Sequence, residues 1–70
     1  MVEVFKTNVQ QLELAAQLAS ALSEQFPFFK INFDLEDCDK ILRIEANDIS
    51  PRYIESLLQT AGFDCRELDF

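Results

Sequence analysis

The chain has 70 residues, 13 Asp and Glu against six Lys and Arg, and a formal net charge of −7. That length makes one domain, 1–70, near the lower size limit for folding without staples, while 49% hydrophobic content with seven Phe argues against disorder. The charge disfavours nucleic acid and an anionic membrane, whose affinity for proteins comes mainly from Lys and Arg, and points instead to a protein partner with a basic surface.

The first element is a β-rich run, Val2 to Val9. Val2 and Val4 share one face, Phe5, Thr7 and Val9 the other, and alternation alone leaves open which is inward. A helix is predicted from Gln11 to Phe26 because Leu14, Leu18, Leu22 and Phe26 recur every four residues, with Ala15 and Ala19 beside them and Glu13, Gln17, Ser20 and Glu24 behind. Asn8 is the nearest good capping side chain, and Pro27 stops the helix. Phe28 to Leu35 then alternates as a half-buried strand, with Phe29, Ile31, Phe33 and Leu35 on one face. The polar turn Glu36-Asp37-Cys38-Asp39 leads to a return strand, Lys40 to Ala46, so the pair reads as a hairpin. Ser50-Pro51 opens a second helix with a stripe of Ile54, Leu57, Leu58 and Ala61, and Gly62 ends it as a left-handed cap. Asp64 to Phe70 forms the last strand, with Leu68 and Phe70 in one phase.

The order β-α-β-β-α-β has no internal linker. Two helices with one apolar stripe each and four strands needing a common sheet form an α+β sandwich. With right-handed crossovers this is the ferredoxin-like plait, an antiparallel sheet of order 4-1-3-2 with both helices on one face. The topology brings three connections to one end: the junction after the first strand, the hairpin around Cys38, and the turn at Gly62-Phe63. A loop-built site is expected there.

Three segments in order carry a likeness. FKTNV at 5–9, FDLEDCDKILRIEA at 33–46 and ISPRYIESLLQTAGFD at 49–64 resemble the lead-in, hairpin and second helix of the heavy-metal-associated domain, the copper-chaperone-like module. The resemblance implies Phe5, Thr7 and Val9 inward. It also implies a metal loop, since that family grips a soft ion such as Cu(I) with a Cys-x-x-Cys just after the position of Val9. Those two positions fall here on Gln11 and Leu14. A neutral amide is a poor ligand for a soft ion and an alkyl side chain is none, so neither the metal site nor any cofactor carries over. Leu14 instead continues the apolar stripe of the helix.

Cys38 and Cys65 lie toward the same end but on opposite sides of a 4-1-3-2 sheet. A strand spacing of about 4.8 Å separates them by about 10 Å or more, beyond disulfide reach. Cys65 reads as a small buried filler. Cys38 is the alternative metal ligand, alone or across a dimer. The acidic residues Asp34, Glu36, Asp37 and Asp39 lack the ligand register and the Gly of a calcium loop. With no His, no Ser or Cys with a recognisable base partner and no Gly-rich phosphate loop, no enzyme is expected. There is no secretory segment and no bilayer-length apolar run, which predicts a cytoplasmic protein, monomeric or weakly dimeric, with both Cys reduced. The expectation is a protein-interaction module with a degenerate metal site, working through Asn8, Val9, Gln10, Gln11, Cys38 and Phe63.

Overall fold

The computed structural model describes residues 1–68. Six elements follow the order β1 (Val2–Thr7), α1 (Leu12–Gln25), β2 (Lys30–Asp34), β3 (Ile41–Glu45), α2 (Pro51–Thr60) and β4 (Cys65–Glu67). All strand pairs are antiparallel. They form one sheet in the order β2-β3-β1-β4, the same set of neighbours that reads 4-1-3-2 from the β4 edge. No helix among the described residues is long and apolar enough to cross a membrane.

The register decides the phase that alternation left open in β1. Phe5 sits opposite Leu42 on one side and Glu67 on the other, and Thr7 sits opposite Cys65. Phe5, Leu42 and Ile44 are fully buried on that face, together with Leu22 of α1 and Ile54 and Leu58 of α2. Both helices therefore cover the same side of the sheet, α1 over β2 and α2 over β4. Phe29, Ile31 and Phe33 pack against the cluster, as the alternation of β2 predicts.

The elements are shorter than the periodicity suggests. β1 ends at Thr7, where the N–H is taken by the Asp39 carbonyl at 3.0 Å instead of continuing a strand ladder. Val9 lies outside the strand yet is fully buried. α1 starts at Leu12, and Gln11 occupies its N-cap without a side-chain hydrogen bond. Phe26 is the C-cap, stacked on Phe29 at 4.5 Å and edge-on to Tyr53 at 5.8 Å, which closes the end of the molecule away from the loop cluster. The α1 stripe is shallower than predicted: Ala15 and Leu22 are buried, while Leu14, Leu18 and Ala19 are half-buried. The last strand covers Cys65–Glu67. Asp69 and Phe70, the end of the predicted strand, lie outside the described residues.

The second helix follows its punctuation closely. Pro51 is its first residue, where a missing N–H costs nothing. Ser50 caps through its backbone carbonyl, which accepts from the N–H groups of Tyr53 and Ile54, and its hydroxyl makes no capping bond. Ile49 before the cap and Ile54 four residues into the helix both join the buried cluster, the arrangement of a hydrophobic staple. At the far end Phe63 N–H bonds to the Leu58 carbonyl and Gly62 N–H to the Gln59 carbonyl, each at 3.0 Å, with Gly62 at φ 96°. That is a Schellman ending. Ala61, predicted within the stripe, is the exposed C-cap instead. A Cβ on Gly62 would touch nothing within 4 Å, so the penalty for Gly62→Ala is purely conformational. It is expected to lower stability by about 1–2 kcal/mol, read as a lower urea midpoint with an unchanged slope.

Candidate functional site

The three connections do meet, and hydrogen bonds fasten them. Thr7 is the pin. Buried at 6% exposure, its hydroxyl donates to the Lys40 carbonyl and accepts the Val9 N–H at 3.2 Å. One side chain thus holds the end of β1, the start of the loop after it, and the return of the hairpin. Lys6 adds an ion pair to Asp39 at 3.5 Å, an exposed contact worth little on its own. Across the other side, Asn8 Oδ1 accepts the Asp64 N–H at 2.9 Å, tying the first loop to the turn before β4. The predicted capping role of Asn8 is therefore replaced: its carboxamide is spent on the turn 56 residues away in sequence, and no side chain caps α1. Removing the pin is expected to hurt. Thr7→Val keeps the shape but leaves the Val9 N–H and the Lys40 carbonyl without this partner, at a cost of about 1–3 kcal/mol, and chemical unfolding of the variant measures it.

The hairpin tip folds on its own acids. Asp34 Oδ1 accepts the Glu36 N–H at 3.2 Å, and Asp37 Oδ1 accepts the Asp39 N–H at 2.9 Å. Lys40, in the left-handed region at φ 48°, returns its Nζ to the Leu35 carbonyl at 2.9 Å. Asp37, Cys38 and Asp39 can each offer one donor atom within 4.8 Å of the others. Local backbone bonding already employs the Asp37 carboxylate, and Asp39 faces Lys6.

The sequence-derived residues separate into surface and core. Asn8, Gln10, Gln11 and Cys38 are exposed at this end. Val9 is fully buried and contributes to the core. Phe63 is half-buried and packs on the main cluster. Leu14, at the second position where the resembled family has a thiolate, is also half-buried, and Gln11 at the first is exposed. The two Cys are unpaired, Cys38 in solvent and Cys65 in the core. Burial and, secondarily, the Glu55 carboxylate push the Cys65 thiol up to about 12, so it stays protonated at neutral pH. That is the state of a packing residue and the opposite of a reactive thiol.

One residue was missed. Leu12, the first residue of α1, is 78% exposed. A signal for it existed. Two residues before Leu14, it points roughly opposite the stripe of Leu14, Leu18 and Leu22 at about 100° per residue, toward the side of Ala16 and Ser20. It leaves a large alkyl group in solvent between Gln11 and Glu13, at the loop end.

Comparison with known proteins finds no matching family model, no similar curated protein and no similar solved structure.

Proposed function

We propose that this chain is a non-enzymatic, ferredoxin-like domain of heavy-metal-associated type whose loop end has exchanged an ion for a protein partner. The observation that carries this reading is Leu12. An exposed leucine stands on the first turn of α1, flanked by exposed Gln10 and Gln11, at the junction where the resembled family keeps its thiolates. The hairpin tip at the same end exposes Asp34, Glu36 and Asp37. An apolar anchor accompanied by carboxylates fits a partner with a complementary apolar pocket and basic rim. Gln11 and Leu14 provide no thiolate, and Asn8 is already bonded to the neighbouring turn.

Two measurements test it. Anaerobic titration with Cu(I) and with Zn(II) against a competing chelator is expected to show no tight one-to-one complex with the monomer; such a complex overturns the proposal. A photo-crosslinking side chain in place of Gln11, in the cells that make the protein, is expected to trap a discrete protein, with the adduct lost in Leu12→Asp.

A second reading has one observation in its favour. The clustered donors of Asp37, Cys38 and Asp39 offer a mixed site for a metal-trafficking role, singly or across a dimer. Cys38→Ser decides it: unchanged metal uptake and unchanged mass in solution remove this reading.

A further inference from the structure

The sheet face turned away from the helices has a charge opposite to that of the chain. Its rows follow from the register. Lys30 lies beside Glu45 and Glu45 beside Val2; Asn32 lies beside Arg43 and Arg43 beside Val4; Asp34 lies beside Ile41; Lys6 lies beside Arg66. Leu68 extends the middle row by donating its N–H to the Val4 carbonyl at 2.8 Å. Four of the six Lys and Arg of the whole chain thus stand on one face, against two carboxylates among the described residues, Asp34 and Glu45. The only ion pair found among the described residues is Lys6 with Asp39, so Lys30 and Arg43 have no carboxylate within pairing distance there. Lys6 and Arg66 are directly opposite each other across β1 and β4, a like-charge neighbour pair whose repulsion Asp39 offsets only on the Lys6 side and a further anion would relieve. Between the cations runs an apolar strip of Val2, 44% exposed, and half-buried Val4, Ile41 and Leu68.

We propose that this open face docks an acidic protein segment, its apolar side chains on the strip and its carboxylates on Lys6, Arg43 and Arg66. Charge selects the occupant. A second copy presenting the same face would set like charges together. Nucleic acid would need aromatic platforms along the cationic rows for its bases; the strand residues of this face include none, and Phe28, exposed beside Lys30 and Glu45, stands only at one corner, while the net charge of −7 also repels its phosphates. An acidic segment feels the positive face only at short range, because the rest of the chain repels it. Binding is therefore expected to be local and salt-sensitive. This surface is distinct from the loop end around Leu12, and either can fail without the other.

The test follows backbone amide shifts of the labelled full chain. The probes are a short synthetic peptide of alternating Glu and Val, its Lys-Val counterpart, and oligothymidylate. The Glu-Val peptide is expected to move the amides of β1, β3 and β4, and Arg43→Glu with Arg66→Glu to weaken that response about tenfold or more. Arg52→Glu on α2 is expected to leave it within about twofold, being an exposed charge on another surface. The neutral pair Arg43→Gln with Arg66→Gln, expected to weaken the response in the same direction, carries the test if the reversal unfolds the domain. Any of three results overturns the proposal: no response of these strands to Glu-Val, an equal response to Lys-Val, or an equal response to oligothymidylate.

Discussion

Phe5→Ala is expected to remove about 3–5 kcal/mol of stability. Phe5 is fully buried at the crossing of everything the fold brings together: it lies between Leu42 and Glu67 in the sheet, under the cluster that holds Leu22, Ile54 and Leu58. Truncation deletes the aromatic ring and opens a cavity that the two helices covering that face would have to close. A domain of this size has about 4–10 kcal/mol in total, so the loss is a large fraction of the whole and the urea midpoint should fall steeply. Phe28→Ala is the matched control. That ring is 94% exposed, and its loss should change stability by about 0.5 kcal/mol or less. Urea unfolding of both, at equal slope, separates burial from residue type.

The second large effect is alkaline. The Cys65 thiol rises from 9.0 to about 12 in the folded chain because burial disfavours its thiolate, with Glu55 adding repulsion. In the unfolded chain the thiol loses its proton near its ordinary value, while the folded chain holds it. Between pH 9 and 12 the unfolded state therefore binds fewer protons, and stability falls as pH rises, by about 1.4 kcal/mol per pH unit for one such group. Below pH 9 both states keep the proton and the effect vanishes. Cys65→Ala is expected to flatten this part of the curve, which distinguishes the thiol from lysine and tyrosine titration. The same burial predicts selective labelling. A thiol reagent at neutral pH should modify Cys38 at once and Cys65 only as the domain opens, since the thiolate is the attacking species.

Much of this architecture was legible in local signals. Pro27, Ser50-Pro51 and Gly62 mark helix ends through backbone constraints that act wherever the residue stands. The alternation of Phe29, Ile31 and Phe33 marks the buried face of β2 without any tertiary knowledge. The strand ends were less legible because distant partners set them: β1 stops where Asp39 and Lys40 take over the hydrogen bonds of Thr7. The bond from Asp64 to Asn8 joins residues 56 apart in sequence, and nothing in either segment announces the other. The site was half visible. Gln11 and Leu14 could be placed from the order of three segments, whereas Leu12 needed its own angular position on the helix to be asked about. The charge of the open sheet face needed the register as well. Lys6, Lys30, Arg43 and Arg66 are scattered through a sequence whose net charge of −7 suggests the opposite surface.

The central place of β1 also bears on how the protein is made. Its partner on one side, β3, begins at Ile41, but its partner on the other, β4, begins only at Cys65. While the chain is being synthesised, the first strand formed must wait for the last of the elements with one row of amides and carbonyls bare. Such an edge invites pairing with another nascent chain. The short β4, three residues long, closes that window late and with few bonds. Versions cut before Cys65 should therefore leave the cell's soluble fraction sooner than their small loss of buried surface would suggest.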